Sequence, residues 1–260
     1  MYRNMIKELS KNLRCIALDF PGFGLSEITL ATGYAQSINS QAEIVAGFIK
    51  VLQLQSVYLL MQECGGHAAI KVFMQQPKKL KGVILTDTII FPVSAYPRKK
   101  TMLSLINGGI FNLINTNFNF LIRAMTRFGI NSRKLSAEER NTCKAMFGTK
   151  EISRTSTYML HQLIIEEKLL SQIQTAFETT FNKIPALIIY GEKDPLNKLG
   201  VTKRINDLLP NSELQLIRGE GHFPHEGEPE KMSELIKSWI DKQLSHTNSF
   251  GGTFGVFPIT

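Results

Sequence analysis

Residues 59–67 read LLMQECGGH. An apolar run stops at a polar pair and two glycines, the pattern of a buried strand, SVYLLM at 56–61, that gives way to a tight turn. HAAIKVFMQQP at 67–77 then reads as a helix stopped by Pro77. Two chemically capable side chains, Glu63 and Cys64, sit at the junction.

Outward from this junction the pattern alternates. Upstream, residues 3–12 read as a helix, LRCIALDF at 13–20 as a short buried strand, and PGFGLSE as the loop that ends it. SINSQAEIVAGFIKVLQL at 37–54 has capping residues in front of apolar positions at helical spacing, so it is expected to be a helix. Downstream, KGVILTDTII at 81–90 is a further strand. Strands alternating with helices argue for a parallel sheet with crossover connections.

The alternation stops from about 91 to 182, a helical stretch placed where a cap over a site would fit. It resumes with a strand in PALIIYGEKD at 185–194, a helix at 199–209, a strand in ELQLIRGEGH at 213–222 and a helix near 228–244. The expected organisation is a core of 1–90 and 183–245, a cap of 91–182, and a tail at 246–260 without periodicity.

Composition narrows the functions. Hydrophobic residues make up 43% of the chain and charged residues 20%, ordinary for one globular domain with a sizeable core. The formal charge is +8, but Lys and Arg are scattered and the densest groups are short, so solvated faces are expected and no nucleic-acid partner. Cys15, Cys64 and Cys143 are an odd, widely spaced set without a CxxC pair. Neither a disulfide framework nor a zinc site follows, no metal or cofactor is implied, and a reducing, cytoplasmic setting fits. No apolar run reaches the roughly 18–20 residues that span a bilayer, and MYRNMIKELSKNLR is a charged amphipathic start rather than a signal peptide.

Open parallel sheets carry their functional groups at the carboxyl ends of the strands. Glu63, Asp194 and His222 all follow strands in this way. Their order and flanking residues resemble the α/β-hydrolase superfamily: ALDFPGFGLSE at 17–27, LLMQECGG at the nucleophile elbow, IYGEKDPL at 189–196 and GEGHFPHEGEPEKM at 219–232. The resemblance spans nearly the whole chain and implies that superfamily's fold with a helical cap.

Strand register puts Glu63 at the nucleophile position, with Gly65 two residues on and Met61, which is not small, two before. Within the superfamily, haloalkane dehalogenases and epoxide hydrolases use a carboxylate, often in a Gln-Asp-Trp-Gly-Gly run, and Gln-Glu-Cys-Gly-Gly looks most like that branch. The resemblance implies a small apolar substrate attacked by Glu63, an ester hydrolysed by water activated by His222, orientation of His222 by Asp194, and the backbone N–H of Cys64 as an oxyanion donor. A degenerate, noncatalytic relative or an esterase-type one is the alternative.

Asp194 precedes Pro195 and so also suits a turn, and Asp87 is the reserve acid. His225 and Glu226 read as loop-fixing groups, and His67 as a packing or capping residue. Tyr96 and Tyr158 could represent the cap tyrosines of epoxide hydrolases, while Phe111, Phe118 and Phe120 suggest an apolar pocket, with helix core as the commoner explanation of such residues. The superfamily's opening strands and its His-Gly loop have no counterpart here, about 35–40 residues of the pattern. The expected consequence is that the strands at 13–19 and 56–61 stand on facing edges of a gap or pair directly with each other.

Overall fold

The computed structural model describes residues 2–26, 36–106, 108–147, 149–246 and 255–258. In chain order its elements are α1 (Arg3–Leu9), β1 (Arg14–Cys15), α2 (Ile38–Val51), β2 (Val57–Gln62), α3 (Glu63–Gln75) and β3 (Leu80–Thr86). The insertion follows as α4 (Pro97–Ile106), α5 (Gly109–Phe118), α6 (Phe120–Phe128), α7 (Ala137–Phe147), α8 (Lys150–Ile165) and α9 (Glu167–Glu178). The chain closes with β4 (Ala186–Gly191), α10 (Pro195–Lys198), α11 (Val201–Leu208), β5 (Ser212–Ile217), α12 (Pro224–Gly227), α13 (Pro229–His246) and β6 (Gly255–Pro258). Among the described residues no helix is long and apolar enough to cross a membrane.

The strands form one sheet in the order β1-β6-β2-β3-β4-β5, with parallel pairing throughout. β2 is buried along its whole length, which explains its near-continuous apolar run. Successive side chains still alternate between faces: Leu59 and Met61 enter the core shared with α2, α3 and α9, whereas Tyr58 and Leu60 enter the one shared with α1 and α13. Trp239 packs on the second face, edge-on to Tyr58 at 5.5 Å. The start of α2 is set by Ser37, whose hydroxyl accepts the Ser40 N–H at 3.1 Å. The insertion does not stand wholly apart, because Leu169, Leu170, Ile173 and Phe177 of α9 join the main core.

Two expectations about the sheet need correction. β1 is only two residues long, exposed at Arg14 and half-buried at Cys15, rather than a buried strand across 13–20. The strands at 13–19 and 56–61 neither face a gap nor pair with each other. β6 lies between them, with Gly255 and Val256 in register with Arg14 and Cys15 on one side, and Gly255–Pro258 in register with Val57–Leu60 on the other.

The segment expected to be a structureless tail therefore supplies an interior strand. It carries too few residues for a periodicity to show, and what selects it is the unsatisfied edge of β2, whose buried N–H and C=O groups require partners. Pro258, which lacks an N–H, is tolerated because it is the last residue of the strand.

Val256 is paired with Tyr58 on one side and Cys15 on the other. Val256→Pro removes an N–H from this ladder and is expected to lower the unfolding free energy by about 1–3 kcal/mol, measured by urea denaturation. An unchanged midpoint would mean that β2 satisfies its edge by another route.

Candidate active site

β2 passes into α3 with no intervening loop, and the reversal is made by Glu63 alone, whose φ of 46° lies in the left-handed region. A non-glycine side chain there stores strain on the order of 1–3 kcal/mol, which surrounding structure must hold. Gly66 makes the turn possible: a Cβ on it would lie 2.8 Å from Met61 Cβ and 2.9 Å from Met61 Cα. The small residue that the tight approach demands is thus Gly66, and its lack of a side chain is what accommodates a residue as large as Met61 before the turn. The strain and the helix start project the Glu63 carboxylate from the carboxyl end of the sheet.

His222 reaches the same place from the loop after β5, and Asp194 from the turn after β4. The Nδ1 of His222 donates to Asp194 Oδ2 at 2.9 Å, and its Nε2 meets Glu63 Oε1 in a short contact. Asp194 serves two purposes at once. Its Oδ1 accepts the Leu196 N–H at 2.6 Å and so caps α10, while Oδ2 holds the imidazole.

Burial opposes charge on all three groups, but their mutual attraction prevails. His222 is raised well above the ordinary imidazole range by the Glu63 and Asp194 carboxylates, and Glu63 and Asp194 are lowered chiefly by His222. The resting site is an imidazolium between two carboxylates.

Asp87 stands behind this row, fully buried and also at a left-handed φ, 48°. Its Oδ2 accepts from Gln62 Nε2 at 3.2 Å and Thr86 Oγ1 at 3.1 Å, and it shares a hydrogen bond with Asp194. Burial and the adjacent Asp194 push its pKa well above the carboxylate range, so Asp87 holds the proton and donates to Asp194. The reserve acid thus neighbours the acid loop without replacing it, since the imidazole Nδ1 is taken by Asp194.

Further back, the Tyr2 hydroxyl donates to Gln62 Oε1, and the Tyr2 ring stacks on His225 at 4.8 Å. His225, its basicity driven down by burial, stays neutral and lies 3.3 Å from Gln62 Nε2. Asp87, Asp194 and His222 are the grouping among the described residues whose donor atoms come within 4.8 Å of one another, but those atoms are engaged with each other as hydrogen-bond partners.

The histidine loop is moored to the helical insertion. Glu220, fully buried, accepts the backbone N–H groups of Asn131 at 3.2 Å and Ser132 at 2.9 Å. Phe223 N–H donates to Gly129 O at 2.8 Å. Buried Glu226 pairs with Arg3 at 2.7 Å and Arg133 at 3.4 Å. Glu226 therefore fixes the loop, while His225 belongs to the network under the elbow.

Cys64 is buried, its thiol pushed well up by burial and by Glu63, and its Sγ–H donates to Met159 O of α8 at 3.3 Å. It ties the elbow to the insertion and is no thiolate. His67 donates from Nε2 to Ile89 O at 2.6 Å.

The insertion departs from what its aromatic residues suggested. Tyr96 is buried beside Phe91, its hydroxyl meeting Arg204 at 3.5 Å, and Tyr158 is exposed. Phe118 and Phe120 are also exposed rather than lining a closed pocket. Tyr2, Gln62 and Glu220 escaped the sequence reading. Only Gln62, adjacent to Glu63, had a positional signal.

A family model described as "alpha/beta hydrolase fold" matches residues 1–229. The haloalkane dehalogenase 2 of Mycobacterium tuberculosis is 24% identical over 237 residues, covering 91% of this chain and 82% of that protein. The uncharacterized hydrolase YugF of Bacillus subtilis is 26% identical over 250 residues, covering 92% and 84%. Among solved structures, the haloalkane dehalogenase DbeA from Bradyrhizobium elkani superposes with a TM-score of 0.81 over 95% of this chain and 87% of its own, at 19% identity.

The charge pattern sets a pH signature. A raised His222 lends stability that is complete below the ordinary imidazole value and is lost as pH rises through its raised value. A lowered Glu63 lends stability present above the ordinary carboxylate value and lost as pH falls through its lowered one. In an NMR titration of His222, Glu63→Gln is expected to lower the imidazole's titration midpoint, through the loss of one adjacent charge. Asp87→Asn, neutral replaced by neutral, is expected to leave it in place. A comparable fall in Asp87→Asn would show that Asp87 carries charge.

Proposed function

The chain belongs to the α/β-hydrolase family, and from that premise we propose that it hydrolyses small apolar substrates through a carboxylate nucleophile. The observation that carries this reading is the Glu63–His222–Asp194 row at the carboxyl ends of β2, β4 and β5 of one parallel sheet. The Glu63 oxygen not held by His222 attacks an sp³ carbon, whose bond to halide or epoxide oxygen breaks as an alkyl–glutamyl ester forms. Esterification abolishes the Glu63 charge that raises His222, so the imidazolium loses its main support and yields its proton, to solvent alongside the departing halide or to the alkoxide of an opened epoxide. Neutral His222 Nε2 then takes a proton from water, the hydroxide attacks the ester carbonyl, and the alcohol leaves with Glu63 regenerated. The backbone N–H of Cys64, in the first turn of α3 where helix amides lack intrahelical acceptors, is suited to the oxyanion of that second step. Asp87, kept neutral, holds Asp194 in place without adding charge beside His222. Similarity to haloalkane dehalogenases supports the branch, and unpaired thiols at Cys15 and Cys64 accord with a cytoplasmic setting.

One observation favours a second reading. With one methylene more than aspartate, Glu63 reaches His222 directly, leaving less room for the water that the second step places between them, and Cys64 stands where dehalogenases often carry a tryptophan. In that reading the row is a structural ion pair in a noncatalytic relative.

Intact-protein mass spectrometry separates the two. His222→Ala exposed to panels of haloalkanes and epoxides is expected to accumulate a covalent adduct on Glu63, absent from the Glu63→Gln, His222→Ala double variant. No adduct on Glu63 across both panels would sink the covalent mechanism and leave the ion-pair reading.

A further inference from the structure

Helix α5 is built inside out. Ile110, Leu113, Ile114 and Phe118 fall at i, i+3, i+4 and i+8, one stripe of a 3.6-residue repeat, and their exposures are 80, 66, 43 and 64%. The buried residue of this helix is instead the polar Asn115. Its side-chain amide donates to Ser153 O at 3.0 Å, its side-chain oxygen accepts the Leu121 N–H at 2.7 Å, and its backbone carbonyl accepts from Ser153 Oγ at 2.7 Å. α5 is thus anchored to α8 through polar atoms and presents its apolar side to water. At the left-handed turn of Asn119 the chain reverses into Phe120, 51% exposed and edge-on to Phe111 at 5.9 Å. Single exposed apolar residues are ordinary, but a full stripe ending in an aromatic corner marks a surface that meets something apolar.

The chain segment that carries the stripe is basic in sequence. Residues 88–137 contain seven Lys and Arg and no Asp or Glu. Alongside the stripe, a groove of about 700 Å³ has Leu113 and Tyr158 among its lining residues together with Lys150 and Arg154.

We propose that this face of the insertion docks on an anionic phospholipid surface, with α5 lying in the plane of the interface. Phe118 and Phe120 enter the boundary between headgroups and acyl chains, and Lys150 and Arg154 of the bordering groove meet the lipid phosphates. A second copy is the poorer occupant, since a two-fold interface would set this acid-free segment against itself and oppose like charges. The inference stands on the surface of the insertion and holds whether or not Glu63 forms an ester.

The test is vesicle co-sedimentation of the full chain at low salt, with sedimentation velocity run alongside over a range of protein concentrations. Vesicles of phosphatidylcholine with roughly one-third phosphatidylglycerol are expected to bind at least about tenfold more tightly than phosphatidylcholine alone. Leu113→Ser with Phe118→Ser, at exposed positions that leave the thermal midpoint in place, is expected to reduce that binding about tenfold or more. Binding to neither vesicle, binding that the double variant leaves intact, or a concentration-dependent dimer that the double variant abolishes would each overturn the proposal, the last by giving the face to a second copy.

Discussion

A strand buried on both faces and along its whole length has no water to turn to, so every backbone N–H and C=O on both of its edges must find a partner in the protein. β2 is such a strand, and its end is the elbow on which the site is built. β3 pairs one edge in a register that runs to Gln62, opposite Thr86. β6 pairs the other over Val57–Leu60. This double pairing holds the last strand residue rigidly enough for Glu63 to be kept at a left-handed φ. The same rigidity at the end of β3 holds Asp87 at its own positive φ, where Tyr190 fixes the following residue by accepting the Thr88 N–H at 3.0 Å. Two strained residues at adjacent strand ends are costly, and both lie in one cluster of ionisable groups.

Within that cluster the electrostatics resolve into a short accounting of protons. Three carboxyl groups and one imidazole meet in a largely dry space. Ionising all four would leave a net negative charge there, so Asp87, buried and without direct contact to the imidazole that Asp194 holds, keeps its proton and serves as a hydrogen-bond donor. What remains is an imidazolium flanked by Glu63 and Asp194. The arrangement ties basicity at His222 to the state of Glu63: neutralising the glutamate lowers the imidazole, which is the coupling that a two-step hydrolysis through an ester needs.

Much of this was legible along the chain. The alternation of apolar runs and helical repeats indicated the parallel sheet, and Glu63, Asp194 and His222 each stood in a loop after a strand-like run, in the order that the α/β-hydrolase resemblance implies, which is why their convergence could be expected. Local chemistry also marked Asp194 before Pro195 as a turn residue, and it is one as well as the partner of His222. The aromatic residues of the insertion were misleading. Phe118 and Phe120 looked like pocket walls because apolar residues at helical spacing usually turn inward, and only the packing of Asn115 against Ser153 shows that α5 faces the other way.

The sequence by itself determined the fold class and the order of the three residues that meet, because these follow from local periodicity and from positions relative to strand ends, while the preference for Glu63 over Cys64 rested on the resemblance of the elbow to the α/β-hydrolase pattern. Tertiary structure alone decided the rest: that Gly255–Pro258 fills the slot beside β2, that Gly66 makes room for Met61, that Asp87 backs Asp194 instead of replacing it, and that Tyr2 and Gln62 lie beneath the elbow. Each of these depends on which distant segments meet when buried polar groups must be satisfied, and a contact between residues 60 or 200 positions apart leaves no trace in the spacing of either one.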